Sequence, residues 1–228
     1  MIDANWIFIT GLPRTGTTLI QRILNIHRSC NILSETAFPL RFLDMMRVAP
    51  DPRWNSAILS PNNLPTMQTQ MHVDVTAYRF SRSLSENMRE LFGSPAYFGD
   101  KNSTQYCWRW PELTMIFPDA RFVIMERDKG EVLESIRDCG WFPDLSDDDL
   151  SDHVDKLEHS LAPLKNLRCS ISVPLSDLCE WPEIWLNTIM SHVGLDGSAR
   201  LFNKDDALFL IKHGKVNVRP SKRDGGTN

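Results

Sequence analysis

Two glycines with four residues between them, in Gly11-Leu12-Pro13-Arg14-Thr15-Gly16-Thr17-Thr18, form the strongest chemical signal in the chain. Glycine lets the backbone turn tightly, successive amides and the start of a helix coordinate oxyanions, and arginine adds a planar cation with several donors. Arg14 supplies that cation, Thr17 and Thr18 supply hydroxyl donors, and Pro13 and Thr15 complete the loop. The spacing is that of an ATP-type phosphate loop, but Thr17 stands where such loops carry lysine. A second cation, Arg127, closes an apolar run, and Ser135 follows about two helical turns later. One ligand can reach both only by spanning a strand end and the adjoining helix. From the residues alone, Arg127 reads equally as a phosphate anchor and as a surface charge.

The elements that must hold these groups follow from hydrophobic spacing. Trp6 to Thr10 is a short apolar run ending at Gly11, and Leu19, Ile20, Ile23, Leu24 and Ile26 then recur with helical period. The loop therefore joins a strand to a helix. Asn31 to Glu35 reads as a short extended piece before a helix carrying Phe38, Phe42, Leu43 and Met46. Pro50, Pro52, Pro61 and Pro65 restrict the residues before them and mark a loop or lid over 50–70, with an amphipathic helix expected over 71–92. Ala120 to Glu126 reads as a buried strand, with a helix over 129–138. The acids from Asp147 to Asp152 suit the start of a helix reaching about residue 167, Cys169 to Val173 a further strand, and 181–193 a helix stopped by Gly194. Strands alternating with helices predict an α/β, three-layer, P-loop-like fold with a central, mostly parallel sheet flanked by helices.

A chain of 228 residues, 42% hydrophobic and 24% charged, is neither disordered nor collagen-like. At this size it should bury roughly 70% of its unfolded surface without a metal or disulfide staple. Lys and Arg number 25 against 29 Asp and Glu, for a net charge of -4, so a general basic field for nucleic acid is excluded and any phosphate site is local. The five cysteines, Cys30, Cys107, Cys139, Cys169 and Cys179, form no CxxC pair and are odd in number, which favours reduced thiols and a cytoplasmic setting. A secretory-pathway chain trimmed of its leader would carry the same features. No apolar run approaches a membrane span, and the start MIDANWIFIT lacks the marks of a signal peptide. The six histidines form no HExxH or compact Cys/His array, and no metal is expected.

The two phosphate segments together resemble the sulfotransferase superfamily that uses 3′-phosphoadenosine-5′-phosphosulfate (PAPS). Gly11 to Thr18 looks like its 5′-phosphosulfate loop, with Arg14 where members carry lysine or arginine. The run Arg127-Asp128-Lys129-Gly130-Glu131-Val132-Leu133-Glu134-Ser135 resembles the segment that binds the 3′-phosphate, and Arg127 and Ser135 match its two contacting positions. Lys101, in Gly99-Asp100-Lys101-Asn102-Ser103, looks like the lysine that stabilises the transferring sulfuryl group, in what reads as a glycine-containing turn. Lys212-His213-Gly214-Lys215 partly resembles the basic segment that closes over the 3′-phosphate. Lys212, Gly214 and Lys215 therefore join the candidate donor contacts, with tail charge as the competing reading.

The resemblance implies PAPS as donor, 3′,5′-adenosine bisphosphate (PAP) as product, and an acceptor hydroxyl held in line with the leaving phosphate. Many small-molecule members carry a histidine base two residues past the lysine, a position occupied here by Ser103. Glu35, in Ser34-Glu35-Thr36, instead resembles the catalytic glutamate of the tyrosylprotein and carbohydrate branches. An unperturbed glutamate titrates at about 4.3. Base chemistry at Glu35 therefore calls for substrate orientation or a raised pKa, and a substrate-orienting role or a helix cap are its other readings. His27 and His72 are weaker base candidates, and Trp108 and Trp110 read as aromatic packing beside Pro111. The expected acceptor is a hydroxyl-bearing small molecule, saccharide, lipid or tyrosyl group, with no nucleic-acid partner and no membrane span; nothing in the sequence encodes an oligomeric state. One domain is expected over 1–228, with 50–92 as an acceptor-side insertion. Two other readings compete: a P-loop kinase or NTPase, which lacks its loop lysine and a clear magnesium-binding aspartate, and a catalytically inactive nucleotide-binding protein of the same fold.

Overall fold

The computed structural model describes residues 5–41, 44, 97–195, 197 and 200–213. Five strands pair in the order β2-β3-β1-β4-β5, and every pairing is parallel: β1 (Asn5–Gly11), β2 (Cys30–Ser34), β3 (Tyr97–Lys101), β4 (Arg121–Glu126) and β5 (Ser170–Pro174). Among the described residues the helices are α1 (Thr17–Leu24), α2 (Gln105–Ile116), α3 (Lys129–Asp138), α4 (Asp147–Lys165), α5 (Leu175–Glu180), α6 (Pro182–Val193) and α7 (Lys204–His213). A parallel sheet needs crossovers, and these cover both of its faces, so β1 and β4 are apolar runs rather than alternating ones.

Alternate residues of each strand enter opposite cores. Trp6, Phe8, Phe98, Phe122 and Ile124 pack with α2, α3 and α4. Ile7, Ile9, Val123, Met125 and Val173 pack with α1, α5, α6 and α7. An aromatic group centres the first layer, with Phe8 meeting the edge of Tyr106 at 5.5 Å between ring centroids and Trp6 meeting Phe117 at 4.5 Å.

Helix boundaries carry local chemical causes. Ser146 caps α4 by accepting from the Asp149 amide at 3.1 Å, with Asp147, Asp148 and Asp149 in the first turn, as the acidic block anticipated. Asp128 caps α3 in the same way, accepting from the Glu131 amide at 3.1 Å. Residues 42–43 and 45–96, which contain the expected lid, the 71–92 helix and His72, lie outside the described residues.

One expectation is corrected. Gly99-Asp100-Lys101 is not a turn but the end of β3, and Lys101 is its last residue. Gly99 is required by close approach: a Cβ there would lie 2.0 Å from the Ile7 carbonyl oxygen on the neighbouring strand. Gly99→Ala should therefore cost about 3 kcal/mol or more, read as a lowered midpoint in urea unfolding. Gly197→Ala, where an added Cβ meets nothing within 4 Å among the described residues, should stay within about 0.5 kcal/mol of the parent.

Candidate active site

The loop after β1, Glu35, Lys101 and Arg127 lie at the carboxyl ends of the strands. The register sets Lys101 opposite Ile9 and Met125 opposite Gly11, so the ends of β3, β1 and β4 lie side by side. The chain leaves β1 toward β2 on one side and reaches β4 on the other, and such reversal points open a crevice at the carboxyl ends of the strands.

The loop after β1 is held by its own backbone and by one hydroxyl. Gly11 has φ 146° and passes so close to β4 that a Cβ would lie 2.4 Å from the Met125 carbonyl oxygen. Buried Thr15 donates from its hydroxyl to the Leu12 carbonyl at 2.7 Å, and its amide donates to the same oxygen at 3.3 Å. Thr15 thus spends its hydroxyl on the loop. Gly16, in left-handed conformation, is the N-cap of α1, and no side chain caps that helix. The first turn therefore offers an amide face suited to an anion. Pro13 and Thr17 are buried there and Thr18 is exposed.

Residues far apart in sequence converge on this loop. Arg127, at the end of β4, donates from Nη1 to the Arg14 carbonyl at 3.2 Å, and its Nε donates to Glu131 at 2.7 Å. Arg14 donates from Nε to the Ser135 hydroxyl on α3 at 3.1 Å, and its guanidinium lies 5.7 Å from the Trp141 ring centroid. A cavity of about 350 Å³ opens beside the loop, lined in part by Leu12, Thr15, Arg127, Lys165 and Ser176.

The neighbouring strand end carries the second group. Lys101, with a side chain only 5% exposed, pairs through Nζ with the Glu35 carboxylate, which is 49% exposed. Glu35 follows β2 in left-handed conformation, φ 56°, and its amide donates to the Lys101 carbonyl at 2.7 Å. Beneath this pair, fully buried Asp100 accepts from the Ala37 amide at 2.8 Å, the Thr36 amide at 3.3 Å and the Tyr106 hydroxyl at 2.5 Å. Burial pushes the Asp100 carboxyl above the usual carboxylate range, against the opposing pull of these donors. Burial, followed by the Asp100 charge, drives the Tyr106 phenol far up. Asn102, just before α2, accepts from the Thr104 amide at 3.1 Å and the Gln105 amide at 2.7 Å, and Ser103 is buried beside it.

The structure brings together Gly11 to Thr18, Arg127, Ser135, Lys101 and Glu35. Lys212 lies exposed in the last turn of α7 without a contact to these groups among the described residues, and Gly214 and Lys215 fall outside them. His27 is 1% exposed, packs on Phe202 and accepts from the Ser29 amide at 3.2 Å, which makes it a core residue. Trp110 is half-buried and donates to the Ser160 carbonyl at 3.0 Å, while Trp108 is exposed. Asp100, Tyr106 and Trp141 were absent from the sequence-derived candidates. The only local signal for Asp100 is a carboxylate next to the candidate lysine.

Thr15→Val keeps the side-chain shape and removes only the hydroxyl bound to Leu12, so it should lower stability by about 1 kcal/mol in urea unfolding. An unchanged midpoint would show that this hydroxyl does not help hold the loop.

Comparison with known proteins bears on this arrangement. A family model described as "Sulfotransferase family" matches residues 6–198. No curated protein matches the chain. Among solved structures, the sulfotransferase domain of the olefin synthase of Synechococcus PCC 7002 is similar at TM-score 0.54 and 18% identity, covering 90% of this chain and 80% of that one. A sulfotransferase of Mycobacterium tuberculosis is similar at TM-score 0.55 and 17% identity, covering 90% and 70%. A mouse sulfotransferase complexed with PAP is similar at TM-score 0.53 and 10% identity, covering 96% and 68%. These likenesses establish a shared fold. The family match, running from β1 past the end of α6 and taking in every strand that bounds the crevice, makes this chain a member of the sulfotransferase family.

Proposed function

We propose that the protein transfers the sulfuryl group of PAPS to the hydroxyl of a saccharide, lipid-linked, tyrosyl or other small-molecule acceptor. The convergence of Arg127 and Ser135 on the backbone and side chain of Arg14 carries this reading. It joins the amide loop after β1 to a second cation and hydroxyl at the β4 end, as a nucleotide with phosphates at its 5′ and 3′ positions requires. The complex of a similar mouse protein with PAP supports the same donor. The loop fits an anion because its turn leaves no room for a Cβ at Gly11 and no side-chain hydrogen bond caps the start of α1.

In this reading the loop amides, Thr17 and Thr18 hold the 5′-phosphosulfate, Arg127 and Ser135 hold the 3′-phosphate, and Arg14 serves the leaving bridge oxygen. Lys101 offsets charge on the sulfuryl oxygens. Glu35 receives the acceptor proton as the new oxygen–sulfur bond forms and the old sulfur–oxygen bond to the 5′-phosphate breaks. The bond pair stays on that phosphate, so the products are the sulfated acceptor, PAP and one proton on Glu35. The half-exposed Glu35 carboxylate against the buried Lys101 ammonium suits this division of labour: one group meets the acceptor and the other stays with the transferring group. Lys212, Gly214, Lys215 and the 50–92 region complete the proposal as donor closure and acceptor selection respectively.

Turnover of PAPS against a panel of saccharide, phenolic, tyrosyl-peptide and alkyl hydroxyls, read as PAP release, tests the reading. Glu35→Ala should keep PAP affinity within about twofold and lower the transfer rate at least about 100-fold. Full turnover in that variant would remove Glu35 from the base role.

A further inference from the structure

Asp100 occupies a position where β3 has no need of charge. Its register partners on the flanking strands are Phe8 and Leu33, and it is 0% exposed. An apolar residue would serve the sheet there, and a carboxylate taken out of water weakens the fold unless its oxygens are fully used. They are used on two backbone amides and one hydroxyl: Thr36 and Ala37 just beyond Glu35, and Tyr106 of α2.

The segment so held is itself unfavourable. Glu35 and Ala37 both adopt positive φ, 56° and 45°, although neither is glycine. Left-handed residues other than glycine persist only where surrounding contacts over-determine them, and they gather at functional sites. Two contacts fix this turn to β3: the Glu35 amide on the Lys101 carbonyl, and the Asp100 carboxylate on the next two amides. The Tyr106 ring is locked in turn, fully buried and edge-on to Phe8 at 5.5 Å. A continuous line therefore runs from the rigid aromatic core through the Tyr106 hydroxyl and the Asp100 carboxylate to the backbone that carries Glu35.

We infer that Asp100 and Tyr106 are positioning residues for Glu35, acting through the Thr36-Ala37 backbone to hold its carboxylate on Lys101 and facing the acceptor. The inference rests on the proposed base role of Glu35. Neither residue touches a reacting atom, and the pair acts only through Glu35. The raised titration range of Asp100 fits this: burial lifts the carboxyl, and the Tyr106 hydroxyl is foremost among the donors that pull it back down.

The test measures single-turnover transfer from PAPS to the fastest acceptor of the panel, water included, together with PAP affinity by calorimetry. Tyr106→Phe keeps the ring packing and should lower the transfer rate about tenfold while PAP affinity stays within about twofold. Asp100→Asn should lose more. In the Glu35→Ala background, Tyr106→Phe should change the rate less than about twofold, because the group it positions is gone. An equal loss in both backgrounds, a parallel loss of PAP affinity, or no loss from Tyr106→Phe in the parent would each overturn the inference. A parent-like rate in Glu35→Ala would overturn the base role and this inference with it, whereas a loss there with none in Tyr106→Phe would overturn the inference alone.

Discussion

Parallel pairing of β1 between β3 and β4 is the constraint on which the site depends. It sends every strand's carboxyl end to one edge and brings the loop after Gly11, the Lys101 end of β3 and the Arg127 end of β4 within reach of one ligand. The pairing is tight enough to dictate residue type far from any reacting atom. Gly99 has no space for a Cβ against Ile7, and Gly11 has none against Met125. Helices on both faces then force the strand interiors to be apolar, so charge emerges only where strands end, and the crevice gathers what the core rejects.

Polar groups along that edge fall into two regimes. Lys129 with Asp155 and Lys204 with Glu183 are largely exposed pairs, whose contribution to stability is small. Asp100, Lys101 and Tyr106 are buried, and their placement makes a larger difference in either direction. Asp100 satisfies three donors that hold a turn of otherwise unfavourable conformation, while buried Lys101 is paired with half-exposed Glu35. Stability is given up at this strand end in return for geometry.

The glycine loop with its flanking strand and helix, and the strand-to-helix passage at Arg127, were legible because each is continuous in sequence. An apolar run, a glycine turn and a helical period succeed one another within a few residues, and α3 was bounded at 129–138 as observed. β3 was not legible: Gly99-Asp100-Lys101 has the composition of a turn, and only pairing with β1 and β2 makes it a strand. The part played by Asp100 was hidden for the same reason. Its partners Thr36, Ala37 and Tyr106 are brought to it by the β2–β3 pairing and the packing of α2, neither of which leaves a local signature. The contact of Arg14 with Ser135 likewise joins residues more than a hundred positions apart. His27 shows the converse: offered by the sequence as a weaker base candidate, it is buried in the turn after α1 and packs on Phe202.

On the proposed function, one crevice accommodates a nucleotide phosphorylated at both the 5′ and 3′ positions of its ribose. Titration calorimetry comparing PAP with ADP and AMP tests it most directly. With Arg127 and Ser135 serving the 3′-phosphate through charge-assisted bonds, PAP should bind at least about tenfold more tightly than either competitor. Equal affinity for the three nucleotides, or binding of none, would contradict the account.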